Sequence, residues 1–210
     1  MIRPATDEVD YLTPGTPPPK ASTIGLWLFL AALTMLFAAS LVGYLLIRHS
    51  GNRAVSGPIQ LPNLLWFSTA MVIGVSITIS LAVSALHRER QQSFRIWIIL
   101  SLLLGIGFIA IQTPAMIELI QRHEVLIQQL RRMGAATGAG TALYGLIFVL
   151  VLLHALHVVG GIIVLVRVSV QGVRGRYDHE HFLPVKHAAM YWHFLDVVWI
   201  VMFSTFLLTR

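Results

Sequence analysis

The sequence predicts an all-α integral membrane protein, a bundle of five transmembrane helices with the N-terminus in the cytoplasm and the C-terminus outside. Two observations predict it. Of the 210 residues 56% are hydrophobic and only 11% charged, with a mean hydropathy of +0.76, whereas soluble domains carry about a quarter charged residues. The apolar residues also lie in five continuous stretches, each long enough to cross a hydrocarbon core about 30 Å thick as a helix of roughly 20 residues.

The stretches are Ile24 to Ile47, Ile59 to Leu86, Ile96 to Ile117, Thr141 to Val166 and Ala188 to Leu208. They are unbroken and rich in Leu, Ile, Val and Ala, so a β-barrel, whose strands alternate over about 10 residues, is excluded. Residues 1–22 form a polar, Pro-rich tail with acidic Asp7, Glu8 and Asp10, and residues 23–210 one five-helix domain. The tail lacks the apolar core and small-residue cleavage site of a signal peptide, so the first span is expected to be retained.

The net charge of +6 could suggest nucleic acid, but the basic residues lie almost wholly in the connections. Membrane topology is the plainer explanation. Five spans put Arg3, Lys20, Arg88, Arg90, Arg95, Arg167, Arg174, Arg176 and Lys186 on one side, and Arg48, Arg53, Arg122, Arg131, Arg132 and Arg210 on the other. The excess of nine over six sets the first side in the cytoplasm by the positive-inside rule. The third connection, Glu118 to Gly140, alternates Ile117, Ile120, Leu126, Ile127 and Leu130 with charged and amide side chains, and is expected to extend as an amphipathic helix at the outer surface.

The chain has no cysteine, which excludes disulfides, thiolate metal sites, iron–sulfur clusters and cysteine nucleophiles. It shows no Gly-rich phosphate loop and no Ser/His/Asp set, and no independent catalytic residues are expected in it. Asp178-His179-Glu180-His181 has the residue types of a loop metal site, but a solvated turn explains it more simply because no helix-borne ligand follows at regular spacing. Trp192 and Trp199, seven apart on one helix face, read with Trp27 and Trp66 as packing, interface or lipid-contact residues.

Ionisable groups in hydrocarbon cost several kcal/mol unless paired. Four stand out: His154 and His157 in the fourth span, His193 and Asp196 in the fifth. Each pair is spaced by three and shares a helix face. His157 lies ten residues from Arg167, and Asp196 ten from Lys186, roughly 15 Å in each case at 1.5 Å per residue. Equal depth suggests that the two helices pack side by side with the Asp196 carboxylate accepting from His157 or His193, and Gly160 and Gly161 would permit close approach. Three readings are open: an interhelical polar cluster fixing helix register, a proton or ion path, and a haem or metal site. The first is the simplest, because such contacts of about 1 kcal/mol are common in bundles.

The segment Tyr191-Trp192-His193-Phe194-Leu195-Asp196-Val197-Val198-Trp199 closely resembles the last-helix signature of subunit III of the haem-copper oxidases. His154-Ala155-Leu156-His157-Val158-Val159-Gly160-Gly161, Gly25-Leu26-Trp27-Leu28-Phe29-Leu30-Ala31 and Leu61-Pro62-Asn63 resemble further segments of that family, in order, and the likeness runs over nearly the whole chain beyond residue 20. It corresponds to the five-helix bacterial form. One departure stands out: Leu33, between Ala32 and Thr34, occupies the position where family members commonly carry a Glu.

The resemblance implies a non-catalytic subunit in the bacterial inner membrane that binds no haem, copper or other metal itself. Haem and copper are implied in partner subunits, with subunit I as the direct partner, and membrane phospholipid as a possible ligand. Supporting roles in proton uptake and in preserving the active site are implied too. A quinol oxidase, a cytochrome c oxidase or a nitric oxide reductase could be the complex. A five-span transporter and a haem-binding membrane anchor are the rivals from other classes.

Overall fold

A backbone amide in hydrocarbon has no water to pair with, so a spanning segment must satisfy its hydrogen bonds internally, and each of the five apolar stretches is helical over its described residues. The computed structural model describes residues 19–49, 64–132, 139–175, 177 and 182–209. They form α1 (Pro19–His49), α2 (Leu64–His87), α3 (Gln91–Arg132), α4 (Ala139–Val173) and α5 (Leu183–Leu208). All five contain a segment long and apolar enough to span a membrane.

Several helices outrun the expected spans. Pro19 opens α1 and Pro184 stands in the first turn of α5, where a missing N–H costs nothing because the first turn has no intrahelical acceptor for it. Helix α3 continues through the expected amphipathic extension to Arg132. At about 1.5 Å per residue its 42 residues reach well beyond one bilayer core. The expected start of α2 at Ile59, with Leu61-Pro62-Asn63, and the Asp178-His179-Glu180-His181 segment lie outside the described residues.

Helices α2 and α3 are joined by three residues, Arg88-Glu89-Arg90. Glu89 takes φ 56°, its N–H bonds the Leu86 carbonyl at 3.1 Å and the Arg90 N–H that of Ala85 at 3.0 Å. This is a Schellman close, with a glutamate in the left-handed position that usually favours glycine. The α4–α5 connection is anchored by Tyr177, whose hydroxyl donates to Gln171 at 2.7 Å and whose carbonyl accepts from the Gln91 side chain at 3.1 Å. Burial raises the Tyr177 phenol above its usual 10.0, which keeps it protonated and donating.

Helices α1 and α5 run parallel. Thr23 meets His187 near their starts at 3.1 Å, and Tyr44 donates to Thr209 near their ends at 2.6 Å. Helix α5 packs against α1, α2 and α4 and sends Trp192 and Trp199 to α3. Its buried positions, from Val185 through Ala188, Trp192, Leu195, Asp196, Trp199 and Met202 to Phe206, recur every three or four residues and form a broad inward face. Large apolar side chains elsewhere, such as Leu28, Met35, Leu103 and Ile163, are exposed, as they are in a protein whose solvent is lipid.

Among the described glycines the least room is left at Gly172 of α4, where an added Cβ would stand 2.7 Å from the ring of fully buried Phe94 of α3. Gly172→Ala is expected to lower the thermal unfolding midpoint of the detergent-solubilised protein, at an overpacking cost of about 1–3 kcal/mol. Phe94→Leu in the same chain should recover part of the loss. An unchanged midpoint for the single variant would contradict this account of the α3–α4 contact.

Candidate functional site

Helix α5 presents the polar and aromatic groups of the bundle to its neighbours at successive depths. Trp199 is buried where neighbours from the other helices converge. Its indole N–H donates to Thr69 of α2 at 3.0 Å, and its ring meets Phe108 of α3 edge-on at 5.8 Å and His154 of α4 at 5.1 Å. Phe37 of α1 reaches the same imidazole at 6.3 Å. All five helices meet at this level. His154 is 1% exposed, and neither of its ring nitrogens has a hydrogen-bond partner. Its role in this setting is that of a flat ring among aromatic rings.

One turn away, the Tyr191 hydroxyl donates to the backbone carbonyl of His157 at 2.9 Å. Phe29 of α1 lies beside Tyr191, with ring centroids 6.1 Å apart. A Cβ on Gly161 would fall 3.2 Å from the Tyr191 ring and 3.3 Å from the Trp192 indole, and one on Gly160 would lie 3.7 Å from the Tyr191 hydroxyl. These two glycines therefore admit the α5 aromatics. Gly105 of α3 does the same for the far edge of Trp192, at 3.4 Å.

The expected partner of Asp196 is not found. His157 donates Nδ1–H to the Leu153 carbonyl of its own helix at 2.7 Å and packs edge-on against Phe37. His193 turns to α2, with Nδ1 at 2.5 Å from Ser76 Oγ and Nε2 at 3.2 Å from Ser80 Oγ. Ser80 gives its one hydroxyl proton to the Ser76 carbonyl at 2.8 Å. Both ring nitrogens of His193 are thus engaged by α2 hydroxyls. Ser76 also stands beside the Asp196 carboxyl. Both carboxyl oxygens of Asp196 are buried without a hydrogen bond.

The structure thus brings His154 and Trp199 together, and His157 with Tyr191, but joins His193 to α2 rather than to α4. Equal depth, which the sequence supplies, fixes a level along the bundle and says nothing of azimuth. The residues missed by sequence reasoning are Phe37, Thr69, Phe108, Gly105, Ser76 and Ser80. A signal for the last two was present, since Ser76, Ser80 and Ser84 recur every four residues and share one face of α2. Among the described residues no group of three His, Asp or Glu side chains could hold a metal ion.

Residues 20–208 match the family model described as cytochrome c oxidase subunit III. The chain is 30% identical over 189 residues to the quinol oxidase subunit 3 of Bacillus spizizenii, a likeness covering 88% of this chain and 85% of that one. It is also 30% identical over 193 residues to the quinol oxidase subunit 3 of Bacillus subtilis, with 88% and 85% covered. The cytochrome c oxidase subunit 3 of Alkalihalophilus pseudofirmus is 27% identical over 191 residues, with the same shares covered.

The two histidines on opposite sides of α5 are expected to respond differently to removal. His154→Leu deletes a buried polar ring without stranding a partner, so the unfolding midpoint should hold or rise. His193→Leu strips the α2 serines of their partner and should cost about 1–2 kcal/mol, the range of interhelical polar contacts in membranes. Thermal unfolding of both variants in the same detergent checks the ordering, and a larger loss for His154→Leu would refute it.

Proposed function

This chain belongs to the cytochrome c oxidase subunit III family, and on that premise we propose that it is the non-catalytic subunit III of a bacterial respiratory haem-copper oxidase. The observation that carries the reading is the family match over residues 20–208, which takes in the segment from Tyr191 to Trp199. In this reading the chain lies in the inner membrane with its N-terminus in the cytoplasm and its C-terminus outside. It packs directly against the catalytic subunit I, where haem and copper reside and oxygen is reduced, and supports that subunit's stability and proton uptake. Phospholipid fits the groove between α1 and α5, of about 640 Å³ and lined by Trp27, Leu30, Thr34, Met190 and Phe194 among others.

Two features shape the proposed role. The histidines within the spans are enclosed by aromatic rings or held by hydroxyls and backbone, an arrangement that favours packing over haem ligation. Leu33 is buried in the core at 6% exposure, so a proton-linked role resting on a carboxylate at that position does not transfer to this chain. The relatives named for quinol oxidases and for a cytochrome c oxidase leave both electron donors as candidates, since the donor docks on other subunits.

Purification in mild detergent through a tag on this chain tests the proposal. Subunits with the visible spectrum of a haem-copper oxidase should co-purify, and the chain expressed alone should be colourless. Absence of a haem-copper catalytic subunit would sink the reading. A Soret band in the isolated chain that His154→Ala or His157→Ala abolishes would favour a haem-binding anchor instead. The same preparation, assayed with reduced cytochrome c and with quinol, identifies the donor.

A further inference from the structure

We propose that His193 is a proton shuttle: with Ser76 and Ser80 it joins the enclosed Asp196 carboxyl to the groove between α2 and α5, and through that groove to the aqueous surface at the α2–α3 turn. The inference goes beyond the subunit III reading and needs only that the chain spans a membrane. Asp196 is 5% exposed and lies ten residues beyond Lys186, about 15 Å along the helix. An acid so placed gains or loses a proton only through its neighbours, and intramembrane Asp and His residues are the usual parts of such relays. Here they are contiguous. Ser76 stands beside the Asp196 carboxyl, the Ser76 hydroxyl meets His193 Nδ1 at 2.5 Å, and His193 Nε2 meets the Ser80 hydroxyl at 3.2 Å.

The imidazole sets this chain apart from a mere tie between α5 and α2, because it can take a proton at one nitrogen and release one from the other. Inward transfer places a proton on Nε2. The Nδ1 proton then passes to the Ser76 oxygen as the Ser76 hydroxyl proton passes to Asp196. The carboxylate gains one proton, the ring and the serine end with the number they began with, and outward transfer is the reverse.

The serine column leads outward from the ring. Ser80 is exposed and lines the groove with Ser84, which stands three residues before His87, the last residue of α2. Four residues rise about 6 Å, the distance that one water bridges between two hydroxyls. The groove, of about 680 Å³, is roomy and polar enough along this column to hold water. Arg88, Glu89 and Arg90 follow at the turn and are exposed. No other ionisable group competes for the ring: none of the α1 residues that line the α1–α5 groove with His193 is ionisable. On α4, His154 lies against Trp199 and His157 is bonded to the Leu153 carbonyl.

Infrared spectroscopy reads proton exchange at the acid. The protein, purified with its partners and reconstituted in vesicles, is moved from H2O to D2O buffer, and the carboxyl stretch that Asp196→Asn removes is followed in time. The expected result is such a band, shifting on deuteration. His193→Gln keeps hydrogen bonds to the serines but cannot accept a proton at one atom and release one from another. It should slow the shift about a hundredfold, the low end of what a positioned acid–base group contributes. A purely structural histidine predicts the opposite sign, since loosening the α2–α5 contact admits water and speeds exchange. Exchange in His193→Gln as fast as in the unaltered protein, or faster, would therefore overturn the shuttle, and so would the lack of any carboxyl band dependent on Asp196. Ser80→Ala should also slow exchange, and an unchanged rate there would overturn the route through the groove.

Discussion

The meeting of Trp199 with His154, Phe108 and Thr69 is the contact through which the bundle is tied together. Lipid offers no hydrophobic drive to bring apolar helices together, because lipid tails are as apolar as the side chains, and association depends on close packing and interhelical hydrogen bonds. Trp199 supplies both at once, giving its indole N–H to α2 and its ring to α3 and α4. Phe37 closes the contact from α1 through the same imidazole. His154 stands thirteen residues before Arg167 and Trp199 thirteen beyond Lys186, so the rings meet at a common depth set by where each helix leaves the membrane.

Glycine placement follows from this dependence on aromatic rings. An indole on α5 can enter the bundle only where its neighbours lack side chains, and Trp192 lies between Gly161 of α4 and Gly105 of α3. The same logic operates at Gly172, which receives the Phe94 ring. Phe94 also meets Tyr177 edge-on, and Tyr177 in turn holds the connection into α5. Close packing at that end of the bundle thereby sets where α5 enters, and hence the depth at which Trp192 and Trp199 come to lie.

The five helices were legible because hydrocarbon imposes a single rule of length and apolarity, and each stretch obeys it without interruption. The ends were less so: Pro19 and Leu183 begin helices ahead of the apolar runs, since a first turn needs neither apolar residues nor a full set of N–H groups. The four ionisable residues could be picked out because charge is rare at depth, and counting from the basic connection correctly placed α4 beside α5. What counting could not supply was the direction each side chain faces. His193 and Asp196 look toward α2, whose serines are ordinary residues in a membrane helix and attract notice only when their four-residue spacing is set against an imidazole. Leu33 marks a different limit, for an apolar residue in an apolar span carries no signal unless a family resemblance says a carboxylate belongs there.

The division of polar groups across α5 bears on how its contacts with the neighbouring helices are connected. Within the apolar stretches read from the sequence, Asp196 is the sole acidic residue, and the core has no second carboxylate because Leu33 is buried there. His154 and His157 are closed off by rings and backbone, while His193 also borders the groove between α1 and α5. On the α2 side the polar groups are more numerous. His193 and Asp196 are adjacent on α5, share Ser76 as a neighbour, and line an open groove. The hydrogen bonds that join α5 to α2 here are continuous, through Trp199 and Thr69, with the contact where all five helices meet. Loss of either contact would therefore loosen α5 from α2, because packing and interhelical hydrogen bonds are what hold helices together in lipid.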